Sequence, residues 1–239
     1  MKKYLSLLCV LGCFAQPAGA ANIDNIGALT QSEFKTFSED MSSALSYKPV
    51  TPAEPLGILG FDLGIEATDT KLQNPTLWTT ATSGGFTSSS VILPKLHMFV
   101  GLPFGIDVGA FYSEVPGYNI KAYGGELRYA ILEGGTASPA VAIRGSFSGL
   151  SGVDQLSFST KGLDVSISKG ITIFTPYAGL GEVWSDSTPN GIPALNKESF
   201  SQFKYFVGGN LKFLFMNVAV EFDKTGSDQS YSAKLGVRF

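Results

Sequence analysis

The chain has 239 residues, of which 44% are hydrophobic and only 15% are charged, and its formal net charge at pH 7 is −3. Soluble domains carry about 25% charged residues, so this composition argues against an ordinary soluble domain. The acidic balance offers no basic surface to a nucleic acid, and we expect no nucleic-acid partner.

The amino terminus has the pattern of a secretory signal. Two lysines precede an apolar run over residues 4–14, and three small residues follow at 18–20. This order predicts a signal peptide over residues 1–20, cleaved before Ala21. The alternative is a lipoprotein signal with an acylated Cys13. Both cysteines lie within residues 1–20, so cleavage before Ala21 leaves no thiol for a disulfide or a metal site.

Residues 22–48 have a helical period, which predicts an amphipathic helix. Its apolar residues are Ile26, Leu29, Phe34, Phe37, Met41, Ala44 and Leu45. Asp24 is the predicted cap, and prolines at 49, 52 and 55 end the helix. We therefore expect a helix and a proline-rich linker over residues 21–55. Three positions are open for it: a plug or cover at the periplasmic mouth, the inner leaflet, or a periplasmic partner.

The last eleven residues alternate strictly and end on Phe239. One parity holds Tyr231, Ala233, Leu235 and Val237, while the other holds polar or small residues, so one face suits lipid and the other a wet lumen. About 9–11 tilted residues cross a bilayer. A terminal strand with a final aromatic residue resembles the signal that the barrel assembly machinery reads, and we expect that machinery and outer-membrane lipid as partners.

Further alternating segments predict an all-β fold, an antiparallel transmembrane β-barrel of about ten strands (8–12) over residues 56–239, preceded by the short helix. The predicted strands are 56–68, 91–102, 104–113, 119–131, 139–147, 154–168, 171–184, 203–213, 217–223 and 229–239. Weak alternation near Lys161 and Pro176 predicts bulges or edge-like irregularities there. An even strand number places both termini of the secreted chain in the periplasm, and the longest outer loops then cover residues 69–90 and 185–199, with a shorter loop at 114–118.

Outward-facing aromatic residues are predicted to collect in two belts near the strand ends. The periplasmic belt would hold Phe104, Tyr129, Phe213 and Phe239, and the outer belt Tyr112, Phe147, Phe158, Phe203, Phe222 and Tyr231.

The order of helix, proline-rich linker and Gly60-Phe61-Asp62-Leu63-Gly64 at the start of the barrel resembles a group of proteobacterial outer-membrane proteins of uncharacterised function. The resemblance is loose over the secreted chain and sharpest over residues 46–66. It implies a bacterial outer-membrane location and a barrel fold, and it transfers no activity to any residue.

Alternation also predicts a charged lumen. Its candidate lining residues are Asp62, Glu66, Lys95, His97, Asp107, Glu126, Arg128, Arg144, Glu182, Lys204, Lys212, Glu221, Asp223, Lys234 and Arg238. Unpaired charges in a narrow lumen are costly, so we expect ion pairs between neighbouring strands. These pairs either fill the barrel or line a narrow path for a small solute.

The sequence favours a protein without catalytic apparatus or cofactor. His97 is the single histidine. A symmetric hairpin would place it opposite Asp107, which could form a catalytic dyad but more simply forms a structural pair. An acyltransferase of the palmitoyl-transfer type would need an apolar lumen, and no cofactor or metal motif is present. We expect porin-like passage or binding of a small solute, controlled by residues 22–48. The alternatives are a structural or surface-binding protein that acts through its outer loops, and a lipid-modifying enzyme.

Overall fold

The structure is a computed structural model that describes residues 22–114, 120–135 and 137–239. Ten antiparallel strands follow one another around a closed barrel, and β1 pairs with β10 to complete it. The strands are β1 (Phe61–Lys71), β2 (Ser90–Leu102), β3 (Ile106–Glu114), β4 (Lys121–Glu133), β5 (Ala140–Ser151), β6 (Leu156–Ser168), β7 (Phe174–Pro189), β8 (Glu198–Phe213), β9 (Met216–Thr225) and β10 (Asp228–Arg238). The predicted fold class is therefore confirmed.

The barrel wall is polar inside and apolar outside. On β10, for example, Ser232 and Lys234 are buried, whereas Tyr231 and Leu235 are 50% and 41% exposed. The same alternation runs along β1, β2, β3 and β9. A closed barrel with an even strand number, a polar interior and a continuous exposed apolar exterior is the architecture of bacterial outer-membrane proteins. The chain is such an outer-membrane β-barrel.

The two ends of the barrel differ in their connections. At one end β2 and β3 are joined by a 3₁₀ turn over Pro103–Gly105, and β8 and β9 by two residues. At the other end the β1–β2 connection covers residues 72–89 and contains the helix α2 (Pro75–Ala81). We call these the short-turn end and the long-loop end. The predicted loop at 114–118 lies outside the described residues apart from Glu114, and so does the predicted signal peptide.

Aromatic side chains meet at both ends of the outer wall. At the short-turn end Phe239 stacks on Phe61 with ring centroids 4.9 Å apart. Towards the long-loop end the ring centroid of Phe222 lies 6.2 Å from that of Tyr205 and 5.4 Å from that of Tyr231. The prediction that Phe158 belongs to the outer aromatic belt is wrong. Phe158 lies on the inward parity of β6 and is buried in an apolar cluster, because the parity of this strand was misread.

The segment before the barrel contains a 3₁₀ turn (Ile26–Ala28) and the helix α1 (Gln31–Leu45). The cap of α1 is Thr30, not the predicted Asp24. Thr30 and Glu33 form a reciprocal capping box. Hydrogen bonds from Thr30 lower the pKa of Glu33. No helix within the described ranges is long and apolar enough to cross a membrane.

The two ends of the described chain lie at opposite ends of the barrel. The backbone nitrogen of Asn25 donates to the carbonyl of Ala81 in the long-loop connection. Phe239 exchanges backbone hydrogen bonds with Phe61 at the short-turn end. The prediction that both termini share the periplasmic side therefore does not hold for this part of the chain, because the segment before β1 runs through the barrel.

Two local predictions are also corrected. The first strand begins at Phe61 instead of residue 56, because Gly57 and Leu59 adopt positive φ angles of 80° and 62° in a turn. No bulge occurs near Lys161 or Pro176, since β6 and β7 keep one register throughout. The register shift that the described strands contain lies between Ala130 and Leu132 on β4.

Candidate functional site in the barrel lumen

Residues 31–55, which we call the lumen segment, run through the interior of the barrel. The hydroxyl of Ser148 on β5 donates to the carbonyl of Leu45 at 2.6 Å. Further along, the backbone nitrogen of Glu54 donates to the hydroxyl of Ser168, at the short-turn end of β6. Every residue from 40 to 53 is buried. The polar lumen is therefore occupied by the chain itself.

The carboxyl-terminal half of α1 is largely buried, and three of its polar residues are serines, which are small. The hydroxyl of Ser38 lies 2.8 Å from that of Ser187 on β7, and the hydroxyl of Ser42 accepts from that of Ser185 at 2.7 Å. Phe37 and Met41, from the predicted apolar stripe, are also buried. A helix that is apolar on one side and serine-rich on the other thus fits a wall that is itself lined by serine and threonine.

Tyr47 connects the lumen segment to a chain of three charged or titratable side chains. Its hydroxyl lies 2.8 Å from Nε2 of His97, and Nδ1 of His97 lies 3.2 Å from Glu66. Lys95 bonds the other oxygen of Glu66 at 2.8 Å. An ionised carboxylate only accepts, so His97 carries its proton on Nδ1 and accepts from Tyr47 at Nε2. Both ring nitrogens of the buried imidazole are thus used.

The predicted pair of His97 and Asp107 does not form. His97 pairs in register with Phe111, and Asp107 with Gly101, because the 3₁₀ turn centres the hairpin on Phe104 and not at the link between residues 102 and 103. Asp107 instead receives two bonds from Arg128, at 2.7 and 3.1 Å, and one from the backbone nitrogen of Leu56. Arg128 also donates to the carbonyl of Pro52. The ion pair of Arg128 and Asp107 thus holds the proline-rich linker in place.

Two further ion-pair groups hold the lumen segment. Lys48 lies 3.6 Å from Asp223, which also faces Lys204 at 3.5 Å, and Lys204 donates to the carbonyl of Tyr47 at 2.6 Å. At the short-turn end, Arg238 donates to the hydroxyl of Thr51 at 3.0 Å.

The remaining pairs join strand to strand. Lys234 bonds Asp62 at 2.9 Å, and Arg144 contacts Asp164 at 2.7 Å and Glu126 at 3.6 Å. Charged residues of the wall are thus joined between strands as well as to the lumen segment.

Thirteen of the fifteen predicted lining residues are buried on the inward parity. Glu182 is an exception, since it alternates with the buried Val183 and shares the outward parity of the exposed Leu180. Lys212 is exposed at the short-turn end of β8. Sequence reasoning missed Asp164, whose parity was misread, Asp228, which lies one residue before the predicted last strand, and Lys48, which lies on no strand.

Aromatic side chains of the wall lie flat against glycines of the adjacent strand, which leaves room for the lumen segment. A Cβ on Gly109 would lie 2.3 Å from the ring of Phe99, and one on Gly179 would lie 2.3 Å from the ring of Phe206. A cavity of about 10 Å³ beside Tyr47, Asp164 and Lys204 has room for about one water.

The long-loop end is closed by an apolar cluster that we call the outer cap. Its members come from the 3₁₀ turn, α1, α2 and the β7–β8 connection, and they include Ile26, Phe34, Phe37, Trp78 and Leu195. At its margin Asn74 donates from its backbone and side chain to Asp40, at 3.2 and 3.0 Å. Burial raises the pKa of the Asp40 carboxyl. The start of the lumen segment is therefore held by the loops.

No protein-family model and no curated protein matches the chain. Solved barrels are similar to it at low identity. A loop-deletion mutant of OmpT, an outer-membrane protein of Vibrio cholerae, has a TM-score of 0.32 and 12% identity, over 62% of this chain and 54% of that one. The chain thus spans about half of that protein's length. The translocator domain of the autotransporter NalP from Neisseria meningitidis has a TM-score of 0.37 and 9% identity, over 82% of this chain and 91% of that one. LpxR from Salmonella typhimurium has a TM-score of 0.38 and 9% identity, over 74% of this chain and 100% of that one. At these values the similarity says nothing about function.

Proposed function

We propose that the protein is a non-enzymatic outer-membrane barrel whose polar lumen is a path for a small hydrophilic solute, closed by its own lumen segment. The observation that supports this most is the kind of contact that closes the lumen. Residues 38–54 are held mainly by hydroxyls, ion pairs and carbonyl hydrogen bonds. If the segment left, water and a polar solute could replace these contacts, because the wall behind it is hydrophilic.

An enzymatic role is less well supported by the same geometry. His97 is buried, and both of its nitrogens are bonded by Glu66 and Tyr47. A general base needs to reach the proton of a substrate, and His97 is only 1% exposed. A lipid-modifying enzyme would also have to reach its substrate through the apolar outer wall, where this group does not lie.

The orientation of the barrel is part of the proposal. Outer-membrane barrels have short periplasmic turns and longer external loops, which puts the long-loop end outside and Phe239 in the periplasm. The residues around Asn25 then lie at the cell surface. A short epitope tag placed before Asn22 should bind its antibody on intact cells, while a tag after Phe239 should bind only after the outer membrane is opened. The opposite pattern would contradict this orientation.

The lumen proposal is tested by conductance. The chain of residues 21–239 and a variant that lacks residues 22–55, the whole lumen segment included, are refolded into planar bilayers, with folding checked by heat-modifiable gel mobility. We expect the full chain to be silent and the variant to conduct. A folded variant that stays silent would contradict the proposal.

The charge of the wall gives a second readout in the conducting variant. The buried cations of the strands are Lys95, Arg128, Arg144, Lys204, Lys234 and Arg238, and the buried carboxylates are Asp62, Glu66, Asp107, Glu126, Asp164, Glu221, Asp223 and Asp228. Carboxylates outnumber cations by two, so we expect a preference for cations. Lys204→Glu should increase that preference, whereas Lys161→Glu on the outer wall should leave it unchanged. Equal selectivity in both variants would show that the assigned lumen is wrong.

The outer cap supports a second function, binding of an external partner through an ordered surface. The β1–β2 connection is not a loose loop, since α2 packs its Trp78 against Phe37 of α1 with ring centroids 5.0 Å apart. Shortening the β1–β2 or β7–β8 connection should abolish such binding. Unchanged cell-surface binding after both deletions would rule it out.

A further inference from the structure

The outer wall carries a polar groove on β6, β7 and β8, next to the long-loop end. It has a volume of about 480 Å³ and is lined by Ser159, Lys161, Trp184, Asp186, Ser199 and Ser201, among others. Strand register puts these residues side by side. Ser159, Asp186 and Ser199 form one row, and Lys161, Trp184 and Ser201 form the next. These six residues lie on the outward parity, so their side chains face the membrane side and not the lumen.

The groove continues directly into the lipid-exposed wall. The next row of the same faces is Leu163, Glu182 and Phe203, and Leu180 follows Glu182 on β7. Leu163, Leu180 and Phe203 are 47%, 57% and 55% exposed. A molecule that lies in the groove with its polar part would therefore place an attached apolar part on this wall. This is the shape of a membrane lipid with a large headgroup.

The chemistry of the groove fits a sugar that carries a phosphate. Trp184 is 46% exposed and offers a flat apolar ring on which a sugar can stack. Serine hydroxyls and the carboxylates of Asp186 and Glu182 can exchange hydrogen bonds with sugar hydroxyls. Lys197 already holds Asp186 at 2.7 Å. Lys161 donates no hydrogen bond within the described part of the chain, so its ammonium group is available for a phosphate oxygen.

We propose that this groove binds the phosphorylated sugar headgroup of an outer-leaflet glycolipid, with the acyl chains on the apolar wall below. The site lies on the opposite face of the strands from the lumen, so it does not depend on whether the lumen opens. Because the groove carries carboxylates beside its lysines, it should select a phosphorylated sugar over an anionic lipid that has no sugar.

The test measures binding of lipid A to the refolded chain in a sugar-free zwitterionic detergent, by native mass spectrometry. Lys161→Glu and Trp184→Ala should each weaken binding by about tenfold, as expected for a lost charged hydrogen bond or a lost aromatic contact. Matched controls are Lys121→Glu and Tyr123→Ala, an outward lysine and an outward tyrosine on β4. These should stay within about twofold of the parent chain, as surface substitutions usually do. Phosphatidylglycerol should bind at least about tenfold more weakly than lipid A.

Three results would overturn the proposal. These are parent-like affinity in both groove variants, an equal loss in the β4 controls, or equal affinity for phosphatidylglycerol and lipid A. Gel mobility before and after heating shows that each variant is folded, and all four substituted side chains are solvent-exposed or face the membrane, so loss of folding is not expected to interfere.

Discussion

Replacing Tyr47 by phenylalanine should loosen the lumen segment from the barrel wall. The ring stays, with its centroid 5.4 Å from that of Phe111, and only the hydroxyl that lies 2.8 Å from Nε2 of His97 is lost. A buried nitrogen that loses its partner costs about 1–3 kcal/mol. The equilibrium constant for release of the segment should therefore rise by about 5- to 150-fold.

The release can be followed with one thiol. Ser43→Cys places a reporter at a fully buried position whose hydroxyl has no hydrogen-bond partner in the described part of the chain. Residues 21–239 contain no other cysteine. When the segment returns faster than a maleimide reacts, the labelling rate is proportional to the equilibrium constant for release. The experiment uses the refolded chain of residues 21–239 in lipid vesicles.

The control is Tyr205→Phe, because Tyr205 faces outward on β8 and is 43% exposed. The chain that carries both Ser43→Cys and Tyr205→Phe should be labelled at the same rate as the chain that carries Ser43→Cys alone. An unchanged rate in Tyr47→Phe would refute the role of the hydrogen bond to His97. An equal increase in Tyr205→Phe would show that the effect is a general loss of barrel stability.

Three further outcomes follow from the contacts. Arg128→Met leaves Asp107 buried without its cation and should lower the free energy of unfolding by about 3–5 kcal/mol, measured by urea titration in vesicles, and no change would contradict the assigned pair. Gly179→Ala puts a Cβ 2.3 Å from Phe206 and 2.8 Å from the carbonyl of Val165, which should cost about 1–3 kcal/mol in the same assay, whereas Gly145→Ala, with no atom within 4 Å, should cost less. The raised pKa of Asp40 means that the folded state holds its proton more tightly than the unfolded state. The contribution of this group to the free energy of unfolding is therefore largest below its unfolded pKa of 3.8, and it decreases as the pH rises through the raised pKa of the folded state. Asp40→Asn should remove this contribution to the pH dependence of the labelling rate at Ser43→Cys. The same pH dependence with and without Asp40→Asn would refute the raised pKa of Asp40.

The barrel could be predicted because a wall that separates lipid from a polar interior forces a period of two on its residues. The predicted strand over 229–239 differs from the observed β10 by one residue at each end. Errors occurred where glycine and proline weaken the contrast between the two faces. Around Gly162 and Gly181 the alternation carries little information, so Glu182 was assigned to the lumen and Asp164 was missed.

The place of the lumen segment could not be read from the apolar stripe of α1. That stripe only shows that one side of the helix must be covered. What distinguishes a helix inside a barrel is its other side, where Ser38, Ser42 and Ser43 are small enough to approach the wall. These serines look like ordinary solvated positions in the sequence. Their partners, Ser185 and Ser187, lie more than a hundred residues away, so only the folded barrel brings them together.

The most direct test of this account is a crosslink between the lumen segment and the wall. The hydroxyls of Ser38 and Ser187 are 2.8 Å apart, so Ser38→Cys with Ser187→Cys should form a disulfide in the folded barrel. Non-reducing electrophoresis should show a shift that a reductant reverses. Ser38→Cys with Ser201→Cys, on the outward face of β8, should show none. Free thiols in the first pair of a folded chain would contradict the claim that the barrel is closed by its own amino-terminal segment.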